Sequence, residues 1–376
     1  MYLIRTVKKS QLIGFAALVF FIVAMSVLLA ALSDDGLPAI SETPDPPDFE
    51  SIIDSLFAVR NACVLQGNIE PLKKIFLTEE RNGRWALEYE ALRAEHMAQW
   101  AAKQGVRFHD IKTDIKILRS RAVGRGYAFY LVASTEYTYA YLDSPDVLNS
   151  FRLGGYHSLD LIPGKAAGTW VISREWYDCP FSKEIDESLF TPEMTETIAA
   201  HKPADHSQLS EERLGTVRYA DQYCGAASDG SNGYRYNPEY TDYNALGGNC
   251  ANFASQALYE GGGFKKTRAW NYKNGKGSRA WINAQGFKDF LIYSGRGSLL
   301  ARGPYAKVYQ IAFDLLPGDI IAYADRSGIT HISIVTGQDS KGYPLVNSHN
   351  LDRYRVPWDI GWNSSAHSYY LIRVNY

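Results

Sequence analysis

The stretch Gly247-Gly248-Asn249-Cys250-Ala251-Asn252-Phe253-Ala254-Ser255-Gln256-Ala257-Leu258 constrains this chain most. Two glycines and an asparagine deliver a cysteine to the start of an apolar helical run. Phe253, Ala254, Ala257 and Leu258 recur at helical spacing and predict one buried helix face. Asn249 is a residue type suited to the N-cap, because its side-chain oxygen can accept a first-turn N–H. Cys250 then falls at the first helical position, where the positive end of the helix dipole favours a thiolate. Gly261, Gly262 and Gly263 end the run. A cysteine nucleophile needs acidity, exposure and room for a substrate carbonyl. A lone cysteine is also a common core residue, so the reading needs a partner.

The partner comes from the chain beyond the helix, which reads as an antiparallel meander. A Pro317-Gly318-Asp319 turn leads into a strand over 320–323, and Ser327-Gly328 turns back into 330–335. Lys341-Gly342 then precedes a strand over 343–350. His331 opens the second of these strands and can face the helix start, far from Cys250 in sequence but near it in space. A histidine base also needs a group on its other ring nitrogen. Alternation along 343–350 puts Leu345, Asn347 and His349 on one face and Val346 and Ser348 on the other. Both Asn347 and His349 are eligible to orient His331. The candidate catalytic set is therefore Cys250, His331, His349 and Asn347. No zinc-type Cys/His spacing, P-loop or dinucleotide glycine pattern occurs, so neither a metal nor a cofactor is expected, and no nucleic-acid partner.

The remaining chain sets the organisation. Residues 11–32 carry no charge, follow Arg5, Lys8 and Lys9, and precede Asp34 and Asp35. This pattern predicts a transmembrane anchor with residues 1–10 cytoplasmic and everything after it extracellular. The localisation expected is the cell membrane, single-pass, with a cleaved signal segment as the competing reading. Residues 33–47 read as a linker. Over 48–180, two amphipathic helices give way to period-two strands, which predicts an α+β accessory domain with helices on one face of an antiparallel sheet. It is similar to a cystatin or nuclear-transport-factor-like roll. Residues 181–210 read as a second linker and 211–376 as the domain that carries the chemistry. From Arg213 onward there are 18 Lys+Arg against 12 Asp+Glu, an excess that suits an anionic polymer or surface. Cys63 and Cys179 are candidates for a disulfide that sequence alone does not establish.

Tyr219-Ala220, Asn237-Pro238, Gly248 to Gln256, Gly261-Gly262, Trp281, Pro317-Gly318-Asp319, His331 and Ser348-His349 occur in order. Together they resemble the bacterial putative amidase domain family, over about residues 213–376. The resemblance implies a papain-like α+β fold related to the NlpC-type and CHAP-type cell-wall hydrolases. It implies a cysteine amidase or peptidase acting on cell-wall peptide. It favours His349 as the group that orients His331, where a papain-like amide would favour Asn347. One position departs from the family pattern: aspartate usually precedes the cysteine, and this chain has Asn249. Two further readings remain open, a non-catalytic cell-wall-binding module on the same fold and a protein-interaction platform built by the first domain.

Overall fold

In the computed structural model, residues 47–181, 185–187, 190–362 and 364–376 are described. Two long helices come first. Helix α1 (Phe49–Gln66) buries Ile53, Leu56, Phe57 and Cys63, and α2 (Arg81–Gln104) buries Ala86, Met97 and Trp100. Gly105 ends α2 in the left-handed region, at a φ of 69°. Four antiparallel strands follow: β1 (Val106–Val123), β2 (Gly126–Tyr141), β3 (Ser144–Pro163) and β4 (Trp170–Tyr177). Leu131, Leu159 and Ile172 of these strands form one core with the α1 residues Ile53, Leu56 and Phe57. The expected order of helices followed by a strand meander is thus observed over this region.

Short helices and a second set of strands make up the rest. They are α3 (Pro192–Ala200), α4 (Glu211–Gln222), α5 (Cys250–Gln256), α6 (Arg279–Ile282), α7 (Ala284–Tyr293) and α8 (Tyr305–Ala312). A small hairpin pairs β5 (Tyr272–Lys273) with β6 (Lys276–Gly277). The strands β7 (Gly297–Gly303), β8 (Ile320–Asp325), β9 (Gly328–Gln338), β10 (Pro344–Ser348), β11 (Asp352–Pro357) and β12 (Ser368–Val374) extend the first sheet. The ten strands run in the order β1-β2-β3-β11-β10-β9-β8-β12-β7, with β4 also on β3. The junction is β3 against β11, where Gly154 lies opposite Asp352 and Leu153 opposite Arg353. A Cβ on Gly154 would sit 1.9 Å from the Ala226 carbonyl carbon, so only glycine fits at this crossing. Strands from the regions 48–180 and 211–376 therefore belong to one continuous sheet.

Two expectations need correction. No described helix is long and apolar enough to cross a membrane. Among the described residues the fold class is mixed α+β on an antiparallel sheet with no helix of the transmembrane kind expected, and the single-pass membrane localisation loses its support. The span 11–32 itself lies outside the described residues. The two long helices are excluded for a plain reason: their buried faces carry charge. Arg60 of α1 donates to Glu90 of α2 at 2.6 Å and to Glu175 of β4 at 2.9 Å, all three fully buried. Such a network belongs in a protein core, where each charge has its partner. The four cysteines are free thiols, so Cys63 and Cys179 form no disulfide.

Candidate active site

Gly247 and Gly248 have φ values of 109° and 126°, a conformation that L side chains rarely adopt. This turn brings Cys250 to the first position of α5. The cap differs from expectation. Asn249 makes no capping bond; its Oδ1 accepts from the Tyr243 N–H (3.2 Å) and the Asn252 amide (2.8 Å). The cap comes instead from Asn350, just past β10, whose Oδ1 accepts both the Asn249 N–H and the Cys250 N–H, the latter at 3.0 Å. Asn350 has a φ of 65°, which asparagine tolerates better than most residues. Its side chain lies against the second glycine: a Cβ on Gly248 would meet it at 3.2 Å. The Cys250 N–H, which an oxyanion would want, is thus already engaged.

The thiol is 7% exposed, and burial pushes it up to about 11. Backbone N–H groups of Ile332, Ala251 and Cys250 act in the opposite direction and are outweighed. A seven-residue helix has only its first turn to offer, and desolvation exceeds that contribution. Pairing between β9 and β10 stops at Ile334–Asn347, and Cys250 packs in one core with Ile332, which lies beyond that point.

His331 is 4% exposed and stands opposite Tyr323 of β8. Its ring centroid is 5.6 Å from that of Tyr323 and 5.2 Å from that of Trp362. Burial pulls it down to about 3, with Arg353 and His349 adding to the effect, so it is neutral near pH 7. Its Nε2 has no hydrogen-bond partner among the described residues.

His349 is fixed on both sides. Its Nε2 lies 2.7 Å from the Tyr223 carbonyl and its Nδ1 2.9 Å from the Asn249 amide nitrogen. A carbonyl only accepts, so Nε2 carries the proton and Nδ1 accepts from Asn249. The ring lies between Phe253 (3.9 Å) and Tyr236 (4.1 Å). Burial pulls this imidazole down to about 3 as well. Asn347 is equally occupied: its Oδ1 accepts from Thr336 (2.8 Å) and the Arg355 N–H (2.7 Å), and its amide donates to Asp221 (2.9 Å). Neither residue hydrogen-bonds His331.

A β-bulge explains why. Leu345 pairs with Gly337, but the next residue, Val346, pairs with Val335, so Thr336 is an extra residue in β9. Unbulged pairing would have put Asn347 and His349 on the face of His331. One extra residue reverses the parity. Asn347 now lies opposite Ile334, on the side of α4 and α5, whereas His331 shares the opposite side with Tyr323 and Trp362. The β10 residue on that side is Ser348, which is directly opposite Arg353 of β11.

Sequence reasoning missed Asn350, Arg353 and the Ile332 N–H. Asn350 lies past the end of β10, where no periodicity marks a role; Arg353 lies in β11, a strand the sequence reading did not place; and a backbone donor has no sequence signal. Asp352 is the first residue of β11. It accepts from the Ala226 N–H and the Tyr236 hydroxyl, both at 2.7 Å, and burial pushes its carboxyl up to about 7. It thereby holds the loop that covers His349. No group of three or more His, Cys, Asp or Glu side chains that could hold a metal occurs among the described residues.

The fold places a cysteine on a short helix against an antiparallel sheet that carries two buried histidines. Residues 210–372 match the family model described as a putative amidase domain. The match starts at Ser210, which caps α4 through the Arg213 N–H, and runs into β12, so it spans Cys250, His331, Asn347 and His349. No curated protein and no solved structure matches the chain.

Proposed function

We propose that this chain is a cysteine amidase or peptidase in which Cys250 is the nucleophile and His331 the base. One observation supports the reading: Cys250 packs in one core with Ile332, the residue next to His331 in β9. His331 is favoured over His349 because its Nε2 has no partner, whereas both nitrogens of His349 are used. With the thiol and the imidazole both neutral at rest, the proton moves from sulfur to His331 as the C–S bond forms, a step that requires the imidazole to turn from the side it shares with Tyr323 and Trp362 toward α5. The tetrahedral intermediate then loses its amine, which takes the proton from the imidazolium, and a thioester remains. Water activated by His331 cleaves the thioester, releases the acid and restores the thiol. The Ile332 N–H supports the developing thiolate.

Cell-wall peptide is the proposed substrate, from the family resemblance and the basic excess after Arg213. The test is incubation of the intact chain with peptidoglycan, followed by mass analysis of released fragments. Cys250→Ala and His331→Ala should each abolish release; fragments from Cys250→Ala equal to those from the parent would refute the reading. A second reading, a non-catalytic binding module, is favoured by the burial of Cys250 and its raised thiol. It predicts pelleting with peptidoglycan and no fragments.

A further inference from the structure

The face of the sheet that carries His331 also holds a buried cation in excess. Arg353 is 1% exposed. Its Nη1 donates to the Ile360 carbonyl at 2.9 Å, its Nε has no partner, and it forms no ion pair among the described residues. Asp359 is the carboxylate that acts on it, but that group is already paired with the buried Lys103. Two buried cations thus share one carboxylate. A buried guanidinium ordinarily has a carboxylate of its own, because water is not there to solvate it. Ser348, directly opposite Arg353, is fully buried and its hydroxyl also has no partner. His331 is close enough to Arg353 to feel its charge, and its Nε2 is unengaged. Three unused polar groups from β9, β10 and β11 therefore lie on one face. The half-buried Trp362 lies against His331, with the ring centroids 5.2 Å apart and the planes tilted by 31°.

We propose that Arg353, Ser348 and His331 form a binding site for one carboxylate group. Arg353 supplies the charge and a planar donor edge, Ser348 supplies a hydroxyl donor, and a carboxylate accepts from both. The carboxylate belongs either to the amide substrate or to a separate small acid. Its assignment to the substrate rests on the reading of His331 as the base; the binding site itself does not.

The experiment uses the intact chain at fixed ionic strength, with sodium acetate as probe and acetamide as neutral control. Acetate should raise the melting temperature where acetamide does not, and should move the ring resonances of His331 but not those of His349. Ser348→Ala should weaken the acetate effect several-fold, and Arg353→Met should abolish it. If Arg353→Met does not fold, the comparison of acetate with acetamide on the parent and the His331 resonances decide the matter. Equal responses to the two probes, or His331 resonances that stay fixed, overturn the site. None of these readouts needs turnover, so they can fail while amidase activity stands, or hold while it fails. Acetate that competes with the hydrolysed substrate assigns the site to the substrate's own carboxylate. Acetate that binds without competing assigns it to a separate acid.

Discussion

Replacing Asn249 by aspartate, the residue usual at this position in the family that the sequence resembles, should change the charge of His349. In the parent chain the Asn249 amide donates to His349 Nδ1 at 2.9 Å, while Nε2 donates to the Tyr223 carbonyl. Asn249→Asp removes that donor and sets a carboxylate oxygen against the Nδ1 lone pair. Two acceptors at hydrogen-bond distance repel, so a proton should enter between them and make His349 an imidazolium with two acceptors. The parent imidazole is held down to about 3 by burial. In the variant it should titrate above the ordinary histidine value of about 6.5, a change of more than ~3 pH units. The stability consequence has a definite sign. The parent's folded value is depressed, so below about pH 6.5 only the unfolded chain takes the proton, and stability falls by ~1.4 kcal/mol per pH unit on this account. In the variant both states are protonated in that range, and this loss is absent. Between pH 6.5 and 4.5 the variant should therefore gain ~2.7 kcal/mol relative to the parent. Long-range proton–nitrogen NMR of the histidine rings reports the tautomer and the titration, with His331 as internal reference, and urea midpoints across pH report the stability. A His349 that keeps the Nε2–H neutral form at pH 6 in the variant, with the proton retained by the introduced carboxyl group or absent, would refute the argument.

Three other outcomes follow from the same geometry. With its thiol near 11, Cys250 should be ~1 in 10,000 thiolate at pH 7 in the free protein. Iodoacetamide labelling should be slow and rise about tenfold per pH unit, with Cys179 and Cys224, pushed up to about 12, lagging ~10-fold further; labelling of Cys250 that has levelled off by pH 8 would contradict burial as the dominant effect. Asn350→Ala strips the cap from α5 and should lower stability to chemical denaturation by about 1–2 kcal/mol, with Asn350→Asp recovering most of it; an unchanged denaturation midpoint in Asn350→Ala would exclude the capping role. Asp352, with a folded value of about 7, has the opposite sign to the histidines: its contribution is present below about pH 3.8 and is lost as pH rises through 7, at ~1.4 kcal/mol per unit. Asp352→Asn should accordingly become more stable relative to the parent from pH 4 to pH 7, and a difference that ignores pH would count against it.

The sequence by itself determined what is set locally. The glycine pair before Cys250, the helical spacing of Phe253, Ala254, Ala257 and Leu258, the glycines after them and the turns at Ser327-Gly328 and Lys341-Gly342 lie within a few residues of what they control. They gave a cysteine at a helix start and an antiparallel meander carrying His331. The alternation along β10 was also legible, since Asn347 and His349 both face the α4 and α5 side. What alternation could not reveal was the face His331 takes. One extra residue, Thr336, reverses the parity between β9 and β10, and the adjacent Gly337 permits a bulge without specifying one. Only the tertiary structure decided the rest. Asn350 caps a helix one hundred residues earlier in the chain. Asp352 fastens the loop at Ala226, and β11 joins β3 where Gly154 leaves room. Burial, which sums every neighbour brought in by the fold, overrides the helix dipole at Cys250 and holds both His331 and His349 neutral. Desolvation depends on what covers a group, and what covers these groups comes from distant parts of the chain.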